Sequence, residues 1–269
     1  MAERYIMSDD DKKALTTPQA NAVSSYVADD DFADMRPQDR ITPRIRLMQG
    51  LSPEVAAGKA NPGEFAANGM TIIRRNIKAK MIPLMWWLQW VEFNPNLECP
   101  PDKKVLGRSV DPNSDLAIKA AKFVEVINSR GKKTFAVTES YNFAVLLPDI
   151  SGYDTIYTFS LQRSSHKAGK TFLNRLRGMK NPDMTQMPIW SHAFDLYSEF
   201  IDKGADKKYF SPIIGEHHEV PEDKHAGLIQ MVTGLKAAKA AFLARELERA
   251  DSDADDHVGD ASAAEEPKF

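Results

Sequence analysis

The chain of 269 residues contains a single cysteine, Cys99. A lone thiol allows neither an internal disulfide nor a cysteine-based zinc cluster, so packing has to supply the stability. Long apolar runs are missing too. The best candidate, residues 81–91, is about half of the ~20 residues a membrane span needs, and Pro83 and Gln89 interrupt it. The opening MAERYIMSDDDKK lacks a basic-then-apolar signal pattern. These absences predict a cytoplasmic protein with no membrane partner. No internal repeat recurs at a fixed period.

The motifs of common chemistries are also scarce. HExxH and a nucleophile elbow are absent, and no pair of carboxylates falls on a predicted core strand to hold a divalent ion for nuclease work. Ala168-Gly169-Lys170-Thr171 looks like the end of a phosphate-binding loop. That loop needs a second glycine five residues before Gly169, and Ser164 stands there. The plainer reading is a helix N-terminus with a basic first turn. Glu216-His217-His218-Glu219 is the one histidine cluster. Adjacent histidines on an extended strand point to opposite faces and do not converge on an ion, so an exposed polar turn is expected. No catalytic residue, metal or cofactor is predicted.

What is present is segregated charge. The formal net charge is −3. Residues 1–35 hold eight acids and three bases, and residues 251–269 hold seven acids and one base. The middle, 36–250, therefore carries 31 bases against 23 acids, a net of +8. A basic body between acidic ends points toward nucleic acid.

The predicted organisation is an acidic, mostly disordered arm over 1–40, a β-rich nucleic-acid-binding domain over 41–221, a helix over 222–250 packed on it, and a disordered acidic tail over 251–269. Arg44 and Arg46 alternate with Ile45 and Leu47 as a strand requires. A hairpin is expected between 69–77 and 79–93, turning near 76–78. Trp86 and Trp90 then share one face and Trp87 takes the other, one face being core and the other an interface or binding surface. Residues 94–115, with four prolines, read as a surface loop. Residues 116–126 read as a helix, or as a helix running into a strand. Strands are predicted over 134–139, 141–147 and 155–161. Phe172, Leu173, Leu176 and Met179 make one face of a helix over 167–179. Trp190, Phe194, Tyr197 and Ile201 suggest a helix over 189–201, and Leu228, Val232, Leu235 and Phe242 a long C-terminal one. The fold class is α+β, with a mainly antiparallel sheet or OB-like barrel, one or two mid-chain helices and that terminal helix.

The candidate DNA-binding residues are cations near turns and rings on strands. Arg44 and Arg46 share a strand face. Arg74, Arg75, Lys78 and Lys80 surround one turn, and Lys132 and Lys133, after Arg130, another. Arg163, Lys167, Lys170, Arg175 and Arg177, with Lys180, lie in the stretch 155–182, which has no acid at all. A phosphate backbone is the natural partner of such a run, and helix N–H groups near Lys167 add to it. Tyr141 and Tyr157 are among the strand rings on which bases could stack. In the tail, Asp253, Asp255, Asp256, Asp260, Glu265, Glu266 and the terminal Phe269 have two readings: a solubilising segment, or one that mimics nucleic acid, competes for the basic surface and recruits partner proteins.

A basic β-rich body followed by an acidic tail ending in Phe resembles phage and bacterial single-stranded DNA-binding proteins. Residues 43–55 (PRIRLMQGLSPEV), with Gly58 and then Pro62-Gly63-Glu64-Phe65, are similar to an N-terminal signature of many tailed-phage proteins, some described as single-strand binders. Lys268 departs from the tail pattern, where acids usually precede the final Phe. The resemblance implies an OB-like fold, a non-enzymatic role in phage DNA replication and recombination in the host cytoplasm, single-stranded DNA as ligand, and tail contacts with replication or recombination proteins. A homo-oligomer is compatible with it. Two alternatives stay open: a virion or transcription-regulatory protein acting through protein contacts, and a nucleotide- or metal-dependent DNA-processing enzyme.

Overall fold

In the computed structural model one strand of 15 residues, Ala79–Phe93, forms the spine to which the rest of the sheet attaches. Residues 42–100, 103–204 and 208–248 are described, all within a compact unit that begins at Thr42. The predicted arm over 1–40, the tail over 251–269 and the last two positions of the predicted terminal helix lie outside the described residues.

In chain order the elements begin with β1 (Arg44–Leu47), the single-turn α1 (Pro53–Ala56), β2 (Phe65–Ala67), β3 (Met70–Ile73), β4 (Ala79–Phe93) and β5 (Val105–Ser109). Next come α2 (Asp115–Ala121), β6 (Glu125–Ile127), β7 (Lys133–Phe135), β8 (Val137–Leu146), α3 (Pro148–Ser151), β9 (Tyr157–Gln162) and α4 (His166–Gly178). The remainder is β10 (His192–Asp202), β11 (Lys208–Glu219), α5 (Glu222–Ala237) and α6 (Lys239–Glu248). The main sheet runs β11-β10-β4-β8-β9-β1-β2-β3, with β5 also on β4, and β6-β7 form a separate ribbon. Only β1 with β9 is parallel among the pairings of named strands. The sheet curls into a half-barrel, as the predicted α+β, OB-like class requires.

Both faces of β8 are buried, and helices explain why. Tyr141, Phe143, Val145 and Leu147 point to the side where Phe172, Leu173 and Leu176 of α4 pack. Leu146 points the other way, into a cluster with Leu228 and Val232 of α5. Ala144 joins Met85, Trp87 and Phe242 of α6 on that same side. Burying a side chain such as Phe143, with no exposed surface, is worth about 2–3 kcal/mol. The curl ends in a side-chain bridge rather than a strand pair. After β1, Gln49 Nε2 donates to the Phe210 carbonyl at 2.9 Å, and the Phe210 N–H donates to Gln49 Oε1 at 3.0 Å. One amide thus pairs with a residue of edge strand β11 as a neighbouring strand would.

Several expectations are corrected. The predicted β3–β4 hairpin is instead β2–β3, because Asn68 and Gly69 both adopt positive φ (51° and 74°) and make the tight turn. Asn76 (φ 68°) only redirects the chain into β4. Residues 189–201 are a one-turn 3-10 helix followed by β10. A register shift between Phe194 and Leu196 breaks the side-chain alternation there and produces the helix-like spacing. Residues 208–219, read in part as a turn, form β11, and the proline-rich loop contains β5. The predicted terminal helix is two helices, interrupted at Ala238. Trp86, Trp87 and Trp90 are all at least partly buried, Trp87 against Phe242 at 5.4 Å and Trp90 against Ala117 and Val137, so neither face of that segment is an open surface. No helix among the described residues is long and apolar enough to cross a membrane.

Candidate nucleic-acid interface

The ribbon β6–β7 is separate from the main sheet, anchored through Val126, which packs against the buried cluster of Trp90, Ala117, Ala136 and Val137. Its turn is built from side-chain caps. Asn128 Oδ1 accepts from the backbone N–H groups of Arg130 and Lys132, each at 3.0 Å, and Gly131 takes φ 71°. The turn is tied to the loop after β4: Ser129 N–H donates to the Pro95 carbonyl at 2.9 Å, and Leu97 N–H donates to Ser129 Oγ at 3.2 Å. Asn94 and Asn96 cap that loop in turn, accepting from the N–H groups of Asn96 and Glu98. Asx turns of this kind hold a chain without regular pairing.

Between this ribbon, the loop after β4, the end of α2 and the start of α4 lies a cleft of about 730 Å³. Among the described residues Lys104, Arg130, Lys132, Lys133 and Lys170 line it, against one acid, Glu139. His166, the first residue of α4, also lines it and lies 3.3 Å from Glu139. The first turn of α4 has no acid and no side-chain cap, so nothing there offsets the partial positive charge at that end of the helix dipole. Two exposed rings complete the wall. Phe123 is 71% exposed and Phe135 53%, with centroids 6.0 Å apart and planes at 58°. The cleft therefore combines fixed positive charge with apolar ring surface, a combination suited to a flexible polyanion bearing flat bases.

Of the predicted binding residues, the cleft gathers Lys132, Lys133 and Lys170. Lys133 also pairs with Glu125 across the ribbon at 3.2 Å, both exposed, which in water is worth little. The others fall elsewhere. Arg44 and Arg46 lie on β1, where Arg46 pairs with Glu54. Arg74 and Arg75 are exposed at the β3–β4 turn, with Arg75 over the Phe210 ring at 5.8 Å. Lys78 lies over Tyr197 at 5.2 Å and 3.7 Å from Asp195. Lys80 donates to Asp195 at 2.6 Å and serves as its counter-ion. Burial alone would raise the Asp195 carboxyl, but the hydrogen bonds and charges of Lys80 and His218 hold it below the usual range.

The acid-free stretch is divided by helix geometry. Lys167 is exposed near the start of α4 and Lys170 enters the cleft. Arg177 lies over Trp86 at 5.7 Å. Arg175 turns to β11, donating to the Gly215 carbonyl and to His217 Nδ1 at 2.6 Å, with Phe194 beneath it at 5.1 Å. It is a strut of the fold. Arg163 opens a 3-10 turn before α4, and its side chain lies outside the described residues. Tyr141 and Tyr157 are core residues, 8% and 7% exposed, so the rings available for stacking here are Phe123 and Phe135 instead. Burial, then Glu139, raises the Tyr141 hydroxyl pKa.

The two tempting motifs resolve physically. Gly169 lies inside α4, against the sheet, and a Cβ there would fall 2.9 Å from Tyr141 Cβ and 3.0 Å from Leu161 Cβ. The glycine answers to helix–sheet packing. In β11, His217 stacks on Phe194 while His218 faces Asp195 at 3.2 Å, so the adjacent imidazoles do diverge. Asp195, Glu216 and His218 bring ligand atoms within 4.8 Å of one another. Lys80 and His218 already share one oxygen of Asp195, which makes the group an ion-pair cluster. The tail residues Asp253, Asp255, Asp256, Asp260, Glu265, Glu266 and Phe269 lie outside the described residues.

The sequence reading names Arg130 only beside Lys132 and Lys133, and Lys104 and Phe123 do not enter it. Position 123 follows a helix end where glycine is usual, and nothing in composition flags a ring there. A family model described as Pam3 phage gp34-like protein matches residues 11–230. No curated protein and no solved structure matches the chain.

Proposed function

The chain belongs to the Pam3 phage gp34-like protein family, and we propose that it acts for the phage as a sequence-tolerant single-stranded DNA-binding protein. The observation that carries this reading is the cleft, where five cations from three chain segments, one of them the start of α4, meet two exposed phenylalanines. Cations neutralise phosphates without reading sequence, and rings accept any base face. In this reading the protein supports DNA replication or recombination and performs no chemistry of its own. The acidic tail over 251–269 competes with DNA for the basic surface and offers Phe269 to replication or recombination proteins. The same exposed rings suit a protein ligand, which keeps a virion or regulatory role as the second reading.

A gel-shift titration with oligo-dT and with duplex, using the full chain and a chain ending at residue 250, tests the proposal. Single strands should bind more tightly than duplex, and removal of the tail should tighten binding further. Equal, weak binding of both at about 0.1 M salt, where the screening length is ~10 Å, contradicts it. Nuclease-resistant capture of a protein partner by a chain with no DNA affinity would favour the second reading.

A further inference from the structure

Resting on the reading of the cleft as a nucleic-acid site, we infer that Phe123 and Phe135 form a seat for one unpaired base, and that this contact sets the preference for single strands. The helix α2 ends in a Schellman turn. Phe123 N–H donates to the Ala120 carbonyl at 3.0 Å, and Val124 N–H donates to the Lys119 carbonyl at 3.3 Å. The residue between cap and exit must be left-handed, a place glycine fills without strain. Here it is Phe123, at φ 51°. A bulky side chain in this region is a genuine outlier, and such strain is commonly kept for function.

Burial does not repay the strain. The Phe123 ring is 71% exposed, and its recorded ring neighbour, Phe135, is itself 53% exposed. Both rings line the cleft beside Lys132 and Lys133. Their planes meet at 58°. That angle excludes a sandwich, which needs parallel rings two stacking distances apart. It forms a corner instead, in which a base lies on the face of one ring and meets the edge of the other, the offset and edge geometries aromatic groups prefer. A base paired within a duplex keeps both faces stacked on its neighbours and cannot enter. Phosphates flanking a seated base fall among the cleft cations.

The full chain should be titrated with oligo-dT and with an abasic strand of the same length, alongside Phe123→Gly, Phe135→Thr and the double variant. The unmodified chain should bind oligo-dT roughly tenfold more tightly than the abasic strand. The double variant should erase that difference while leaving abasic binding and its salt dependence unchanged. Phe123→Gly should also melt higher, by roughly 2–4 °C, because the strain is relieved and no core is lost. Retention of the dT preference in the double variant overturns the inference, as does a lower melting point for Phe123→Gly, which would make the ring structural. If dT and abasic strands bind alike and Lys170→Ala weakens both, the base seat is wrong and the cleft reading stands. If the unmodified chain binds neither strand, both fall.

Discussion

Replacing Gly169 with alanine tests how α4 is held against the sheet, and with it the position of Lys170 and His166 in the cleft. The added Cβ would lie 2.9 Å from both Cβ and Cδ2 of Tyr141 and 3.0 Å from Cβ of Leu161. Two of these atoms are Cβ carbons fixed to β8 and β9, so they cannot rotate away and the helix has to move. Overpacking of this kind costs about 1–3 kcal/mol. Alanine returns about 1 kcal/mol of helix propensity. With contacts this short the net loss should be about 1–2 kcal/mol. Gly234 in α5 is the internal control, since nothing lies within 4 Å of its added Cβ. There only the propensity gain remains, about 0.5–1 kcal/mol. Urea unfolding followed by circular dichroism should therefore shift the two variants in opposite directions, with Gly169→Ala also losing affinity for oligo-dT. If Gly169→Ala stabilises the chain as much as Gly234→Ala, the close helix–sheet approach is wrong.

Gln49→Ala should cost about 1–3 kcal/mol, because it leaves both backbone groups of Phe210 short of a partner on the β11 edge; Gln49→Glu, which keeps an acceptor but no donor, should fall between, again by urea unfolding. His192 gives a pH signature. Burial first, and the neighbouring His217 second, hold its imidazole below the ordinary value. Since protonation then favours the unfolded chain, its contribution is complete above the unfolded pKa of about 6.5 and is lost as pH falls from there through the folded value. Stability measured between pH 7 and 5 should fall less steeply in His192→Gln than in the parent.

Much of the fold was legible because packing repeats its own periodicity. The α4 face of Phe172, Leu173 and Leu176 and the terminal face of Leu228, Val232 and Phe242 are buried as their spacing requires. The misreadings have local physical causes. At Asp195 a bulge rotates the side-chain pattern of β10 by one position, and a shifted strand pattern looks helical over a few residues. Asn68-Gly69 is a strong turn signal, but composition alone does not rank it against the Asn76 turn that follows.

The site was harder to read because nearness in sequence is not nearness in space. Arg175 and Lys170 belong to one acid-free run, yet five residues along a helix is about 140° beyond a full turn, so one faces β11 and the other the cleft. Tyr141 and Phe135 are both rings on predicted strands. The first is covered by α4 and the second lies on a ribbon with little above it, a difference that only tertiary packing creates. The −3 total charge is similarly uninformative, whereas the cleft's five cations against one acid among the described residues are specific.

The most direct measurement is the salt dependence of oligo-dT binding by the full chain, read by fluorescence anisotropy, beside the Lys132→Ala/Lys170→Ala double variant. With about four phosphates neutralised, log affinity against log salt should slope near −3, so that raising salt from about 0.05 to 0.2 M weakens binding roughly 50-fold. The double variant should bind more weakly at low salt and lose about 1–2 from the slope. A parent slope near zero, or a double variant with the parent's affinity and slope, would contradict the account of the cleft as a single-strand binding site.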